Sequence, residues 1–414
     1  MKVALLAPPW LAVPVKGYGG IELVIEGLVK EFQTMGVDVE IFGNGARKIP
    51  GVKTHFLYDE EQFSNIHLPF YESSPILLAH MQFALNAIKK DGTFDVIHDH
   101  NGYMGPALLA AASYDPELPP IVHTHHGPPF SNEQTLRDGI PDNRPFWNEL
   151  GKVAHRLYVV GISNTLMRTA PKSLAGNMLP AVYNAIQVEN FPYQSNKKNY
   201  YITLARFTHD KGQHVAAKIC GRKGYRLRMA GTVAGIETSR KLLFELANPL
   251  SAYRGSEEFR YYSDKVLPYT LRYRKISYSG NLSGARKMKF ISEARALLFP
   301  IDWEEPFGMA VIEALACGTP VVAMRRGAMP EIIEHGVNGF LADTEKQFEE
   351  YVDRVGEIDP AACRESVIRK FSAETMATEY LGRYRQAISL SKRVLRHRHP
   401  TNTLVDDAAM PSVI

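Results

Sequence analysis

The sequence predicts an α/β protein of two consecutive doubly wound domains, each a parallel sheet covered by helices, facing one another across a cleft. Two observations carry that expectation. Apolar runs of strand length alternate with stretches of helical period along nearly all 414 residues, and such alternation builds parallel sheets from βαβ units. It breaks once, at the polar stretch Pro192-Tyr193-Gln194-Ser195-Asn196-Lys197-Lys198-Asn199-Tyr200, and then restarts. The break places a linker there, between domains over residues 1–192 and 200–372.

In the first half, residues 3–7 read as a buried strand. The apolar run is short and ends at Pro8-Pro9, so it is taken as a strand and not as a secretory leader. Residues 21–35 form a helix, with Ile21, Val24, Ile25, Leu28, Val29 and Phe32 at helical spacing. Further strands are expected at 39–42, 96–98, 121–124 and 157–162, with helices at 75–89 and 106–112. In the second half strands fall at 201–205, 226–230, 276–279, 296–299, 320–323 and 339–342, with helices between them. Residues 373–392 form one long helix. Residues 393–414 mix basic and small polar side chains and read as a frayed tail. Ligands of open parallel sheets sit beyond the carboxyl ends of the strands, so the loops that follow strands are the informative ones.

Composition narrows the class. With 45% apolar and 22% charged residues, the chain is an ordinary globular protein and neither disordered nor fibrous. Cys220, Cys317 and Cys363 are too few and too scattered for a disulfide framework or a cysteine zinc site, which predicts a cytoplasmic protein. No apolar run reaches the roughly 18 residues of a membrane span, while peripheral membrane contact stays open. The net charge of +4 hides an asymmetry: residues 201–300 hold 19 Lys and Arg against 7 Asp and Glu. Such a surplus forms either a solvated basic face or a site for an anionic partner, whether nucleic acid, an acidic membrane or a phosphorylated small molecule.

Four segments carry chemistry. The most specific is Asp302-Trp303-Glu304-Glu305-Pro306-Phe307-Gly308-Met309-Ala310-Val311-Ile312-Glu313. A strand ends in an acidic loop, a helix opens with Pro306 at its first position, and Cys317-Gly318 closes it. Glu305 then sits at the helix mouth. Glu313 lies two turns inside among Val311, Ile312, Ala314 and Leu315, where an idle charge is costly. The bland alternative has Glu305 capping the dipole and Glu313 on the surface. The second segment, Leu204-Ala205-Arg206-Phe207-Thr208-His209-Asp210-Lys211-Gly212, sets two bases just after a strand. The third, Val15-Lys16-Gly17-Tyr18-Gly19-Gly20-Ile21-Glu22, lacks the spacing of a dinucleotide fingerprint and is otherwise a flexible turn. The fourth is a pair of histidine clusters at strand ends, His98-Asp99-His100 and His123-Thr124-His125-His126. Alternate strand residues face one way, so His98 and His100 are candidates to share a metal.

The first segment resembles the Glu-x7-Glu signature of the family 4 glycosyltransferases, retaining enzymes of the GT-B fold, and the similarity runs over nearly the whole chain apart from residues 245–262 and the tail. The resemblance implies that Glu305 takes hydroxyls of a donor sugar and Glu313 those of the nucleotide ribose, each carboxylate accepting two donors. It implies that Arg206 and Lys211 grip the donor diphosphate. Fixed cations there stabilise the charge that grows on the leaving group. Gly19 and Gly20 match a Gly-Gly whose backbone approaches the donor phosphates and the acceptor. Asn281 and Leu282 match the loop that meets the base, and Phe307, Gly308 and Met309 fall on the donor side. His126 matches the histidine beside the donor sugar, with His125 as the fallback if the register slips by one. His100, Asn101, Tyr18 and Asn184 fall on the acceptor side. At Val182-Tyr183-Asn184-Ala185 the family's glycine is Ala185, where a positive φ would be uncomfortable.

The function implied is transfer of a hexose from a nucleotide-diphosphate sugar, with UDP-glucose the leading donor, to a hydroxyl acceptor of unknown identity. The mechanism implied is metal-independent front-face displacement, with no metal and no other cofactor; the chain has no Asp-x-Asp. Nucleic acid drops out as a partner, and a monomer or a homodimer is expected. The helix at 373–392 is implied to cross back onto the first domain. Three alternatives stand beside this reading: a metal-dependent hydrolase on the His98/His100 and His123/His125/His126 clusters, a nucleotide-sugar epimerase of the same architecture, and a silent binding protein.

Overall fold

The structure is a computed structural model that describes residues 1–16, 19–131 and 141–398. Its first half runs β1 (Lys2–Leu6), α1 (Gly20–Thr34), β2 (Asp38–Gly43), β3 (Lys53–Phe56), α2 (Phe70–Asp91), β4 (Val96–Asp99), α3 (Met104–Ala112), β5 (Ile121–His125), α4 (Arg144–Val153), β6 (Leu157–Gly161) and α5 (Asn164–Arg168). The second begins with β7 (Tyr201–Leu204), α6 (Gln213–Lys223), β8 (Leu227–Ala230), α7 (Ser239–Ala247), α8 (Glu257–Tyr261), α9 (Leu267–Arg272), β9 (Ile276–Tyr278) and α10 (Gly284–Ser292). It ends with β10 (Ala296–Phe299), α11 (Met309–Ala316), β11 (Val321–Met324), α12 (Met329–Ile332), β12 (Gly339–Ala342), α13 (Glu345–Arg354), α14 (Pro360–Lys370) and α15 (Ala373–Arg398). None of the described helices is long and apolar enough to cross a membrane.

The strands form two parallel sheets, ordered β3-β2-β1-β4-β5-β6 and β12-β11-β10-β7-β8-β9. Counted from its own first strand, each half therefore has the same order, third-second-first-fourth-fifth-sixth, and the doubly wound expectation holds. Helices cover both faces of each sheet. That is why strands such as Val3-Ala4-Leu5-Leu6 are wholly buried and read as continuous apolar runs. The order of each sheet reverses once, between β1 and β4 and between β7 and β10, which opens a crevice at the carboxyl ends there. The loops singled out for Gly19–Gly20, His100, Arg206–Lys211 and Glu305 follow β1, β4, β7 and β10, the four strands that flank these two points.

The chain crosses between the halves twice, side by side. The Ile186 N–H donates to the Phe371 carbonyl at 3.0 Å, and the Ala373 N–H to the Ile186 carbonyl at 3.1 Å. After the second crossing α15 lies on the first domain, where Met376, Ala377, Tyr380 and Tyr384 share a core with Val3, Val24, Leu28 and Phe32. The polar stretch at 192–200 is pinned to the second domain: Lys197 Nζ donates to the carbonyls of Ser292 and Cys317 and to Thr319 Oγ1, at 2.8–3.0 Å.

Several expectations need correction. The helix after β10 does not open at Pro306; it begins at Met309 with Gly308 as its cap, so Pro306 and Phe307 belong to the preceding loop. The edge strand β3 was not predicted, because Lys-Thr-His-Phe is short, charged and only half-buried. Helix α2 starts at Phe70 and takes Pro75 into its interior, and α15 runs past 392 to Arg398. Ala234 is the one non-glycine of positive φ among the described residues, so Ala185 keeps an ordinary backbone and the discomfort expected there does not arise. Tyr18 and residues 399–414 of the expected tail lie outside the described residues.

Candidate active site

The loop after β7 and the loop after β10 meet. Lys211 Nζ donates to Glu305 Oε2 at 2.5 Å, and the indole N–H of Trp303 donates to the same oxygen at 3.0 Å. The Lys211 ammonium also stands 4.4 Å from the centre of the Trp303 ring. Two residues predicted from separate segments are thus neighbours, and Trp303, which the sequence did not single out, holds both. Arg206 is exposed, with one weak contact to Glu258 at 3.4 Å, and is free to take an anion. Its carbonyl accepts the Gln213 side-chain N–H at 2.7 Å, which fixes the turn.

Glu313 is 5% exposed, and its charge is met by Lys287 Nζ at 2.7 Å. This partner was not anticipated either. Both line a cavity of about 230 Å³ between the domains, shared with Met309, Asn281 and Leu282 and closed from the other side by Leu23 and Glu26 of α1. The Asn281 N–H donates to the Glu237 carbonyl at 2.6 Å, which sets the loop ahead of α10. Phe307 is buried and packs its ring on Phe371 and Tyr183 at the crossing; its side chain serves the core, leaving Gly308 and Met309 at the amino end of α11. Gly19 caps α1, and at Gly20 open space stands where a side chain would be.

The histidines divide between the two faces of the first sheet. On the face under α15, His98 lies between Tyr384 OH at 2.7 Å and Thr124 Oγ1 at 2.7 Å, and Thr124 bonds Tyr380 OH at 2.8 Å. His100 is 1% exposed and bonds His126 Nε2 through its Nδ1 at 2.9 Å. It therefore stands behind His126, a contact the sequence did not foretell. On the opposite face His123 Nδ1 bonds Asp99 at 2.7 Å, and His125 is enclosed by Phe130 and Trp147. No group of three or more His, Cys, Asp or Glu among the described residues is arranged to hold a metal ion, and the metal-hydrolase alternative has no support. Burial and the neighbouring imidazoles hold His98 and His100 well below the usual histidine range, and burial with His123 pulls His126 down to about 3. These rings are neutral at pH 7.

Asn101 is also buried and bonds Asp99 Oδ1 at 2.8 Å, while its own Oδ1 and that of Asn184 have no partner among the described residues. Among the predicted first-domain groups, His126 adjoins a turn that meets the second domain. It is half-buried, and the next residue, Gly127, meets Pro306: a Cβ there would stand 3.3 Å from Pro306 Cγ. His126 and Glu305 are thus brought to adjoining turns from opposite sides of the cleft.

Residues 187–365 match the profile of Glycosyl transferases group 1, and residues 18–168 that of Glycosyltransferase Family 4. The alpha-maltose-1-phosphate synthase of Mycobacterium tuberculosis is 25% identical over 411 residues, 93% of this chain and 99% of that one. The sucrose-phosphate synthase of Thermosynechococcus elongatus superposes with a TM-score of 0.67 at 19% identity, covering 94% of this chain and 99% of that chain. HepE of Anabaena, solved in complex with UDP-glucose, gives 0.63 at 16% identity, with 94% and 100% covered. The two sheets have the GT-B arrangement, and the chain belongs to the family 4 glycosyltransferases.

Proposed function

We propose that this glycosyltransferase is a retaining enzyme that moves a hexose from a nucleotide-diphosphate sugar, UDP-glucose first among the candidates, to an acceptor hydroxyl. The observation that carries the reading is the meeting of Lys211, Glu305 and the His126–Gly127 turn at the two switch points. UDP-glucose bound to the Anabaena relative supports the donor. Asn281, Leu282 and Lys287 would receive the base and ribose beside Glu313. Arg206, Lys211 and the amino end of α11 would hold the diphosphate.

In a front-face step the bond from the anomeric carbon to the β-phosphate oxygen breaks, and the acceptor oxygen bonds that carbon on the same face. The departing phosphate oxygen takes the acceptor proton, giving nucleoside diphosphate and glycoside. Glu305 is already engaged by Lys211 and Trp303, which suits a hydroxyl-orienting carboxylate better than a free nucleophile. Arg206 and Lys211 supply the cationic charge the leaving group needs, so the step as written needs no metal. The three cysteines are buried free thiols, in keeping with the cytoplasmic location we assign.

The test is a panel of nucleotide sugars scored by thermal shift and by slow donor hydrolysis, which needs no acceptor. UDP-glucose should stabilise and be hydrolysed. Lys211→Ala and Glu305→Ala should each lose about 10²–10³-fold in turnover with the fold intact. Wild-type turnover in both variants would overturn the assignment.

A further inference from the structure

We propose that His100 is a positioning residue that fixes His126 as its Nδ1–H tautomer, so that His126 presents an N–H donor, not a lone pair, to the donor sugar. The inference rests on the proposed reading for the sugar. The tautomer itself follows from hydrogen-bond accounting in the resting protein.

His100 Nδ1 and His126 Nε2 are 2.9 Å apart. Both rings are neutral, each carrying one proton, so one of these two nitrogens is the donor and the other the acceptor. His100 Nε2 is buried without any partner among the described residues. If His126 donated, the His100 proton would have to sit on that Nε2, leaving an N–H sealed away from every acceptor. An orphaned buried N–H is the rarer and costlier defect, whereas an unpaired acceptor is tolerated more often. The His100 proton therefore sits on Nδ1 and points at His126 Nε2. The His126 proton then has one place left, Nδ1, which makes no hydrogen bond within the described chain.

What stops His100 from turning is the ring beneath it. His98 lies 4.1 Å from His100, centre to centre. Both His98 nitrogens are held by hydroxyls, from Tyr384 of α15 and from Thr124, itself bonded to Tyr380. The C-terminal helix thus braces a stack of rings that ends at His126.

The experiment reads the tautomer directly, with no substrate. Histidine is labelled with ¹⁵N, long-range ¹H–¹⁵N spectra distinguish protonated from bare ring nitrogens, and His126→Gln assigns the His126 signals. Wild type should show His126 protonated at Nδ1 and bare at Nε2. His100→Asn, whose side-chain amide can replace the Nδ1–H, should keep that pattern. His100→Leu should give a mixture of tautomers and lower kcat about 10–100-fold with donor KM changed less than threefold, and the Asn variant should recover most of the loss. His126 protonated at Nε2 in the wild type would overturn the proposal, as would an unchanged tautomer and kcat in His100→Leu. If the Leu variant does not fold, the wild-type and Asn spectra still decide. Failure of the glycosyl-transfer reading would show as a silent donor panel with the tautomer unaffected, so the two are told apart.

Discussion

Glu305 owes its position to the loop that follows β11. At Gly327 the chain after β11 turns with φ +53°, and a Cβ there would stand 2.2 Å from the Glu305 carbonyl oxygen and 2.3 Å from its nitrogen. Those neighbours are backbone and cannot swing aside. Gly327→Ala should therefore push Glu305 off Lys211 and Trp303, lowering turnover about 10²-fold, since displacement near 1 Å is enough for that loss. The fold should persist, because the loop lies outside both sheets. Steady-state kinetics beside a thermal melt checks this, and unchanged turnover would show the loop to be slack. Glu305, Glu313, Arg206 and Lys211 were legible in the sequence because each sits in a local motif of fixed spacing. Trp303 was passed over although it lies inside that motif, since its role appears only once Lys211 arrives from another strand. Lys287 lies 26 residues from Glu313 and meets it only through packing. The His100–His126 contact was missed for the same reason: side-chain alternation gives the face of a strand but not the partner waiting there.

Among the elements, the inner strands were the easiest to read, because burial on both faces leaves an unbroken apolar run with sharp polar ends. An edge strand such as β3 gives no such signal, and helix starts depend on caps. The Gly308 cap was overlooked in favour of Pro306, which stands two residues earlier. Strands β4 and β5 and the helices around them also carry a liability of their own. Burial pulls His80 down to about 4 and His125 and His126 to about 3, and holds His98 and His100 well below the usual value. In the unfolded chain these side chains take up protons near pH 6.5. Between that value and the folded ones the unfolded state binds protons that the native state refuses, so stability falls as pH drops below about 6.5. Each histidine adds up to about 1.4 kcal/mol per pH unit to that slope. Denaturant midpoints at pH 7.5, 6.5 and 5.5 should fall modestly across the first interval, since at pH 6.5 the unfolded histidines are already half protonated, and about two to three times as steeply across the second. A flat profile to pH 5.5 would mean that the cluster is charged or open to water.

At the scale of the molecule, the basic surplus of residues 201–300 is partly internal. Lys218, Arg222 and Lys223 pair with Glu345, Glu349 and Asp353 of α13, outside the counted window. Exposed pairs of this kind contribute little individually, but they show that a charge count along the chain overstates the charge on a face. A different carboxylate joins the two domains. Glu331 of α12 reaches across to the first turn of α5, where its oxygens accept the N–H groups of Asn164 at 2.9 Å and Thr165 at 2.5 Å, and the Tyr183 hydroxyl at 2.8 Å. An acid from one domain thus satisfies the open helix end of the other, and Tyr183 packs on Phe371 at the double crossing. Burial pushes the Glu331 carboxyl up, but these hydrogen bonds outweigh it and hold the group below the usual carboxylate value. The clasp is therefore charged and complete at neutral pH, and is lost only as pH falls through that lowered value. Glu331→Ala leaves two N–H groups and a hydroxyl without their acceptor, at a cost of about 1–3 kcal/mol. The thermal midpoint should fall, and small-angle scattering should record a larger radius of gyration as the domains loosen. If donor binds as proposed, between the halves, it should reverse much of that expansion. Glu331→Gln keeps an acceptor but not the charge and should fall between the two. An alanine variant with unchanged melting and scattering would show that the two crossing segments fix the angle between the domains without the clasp.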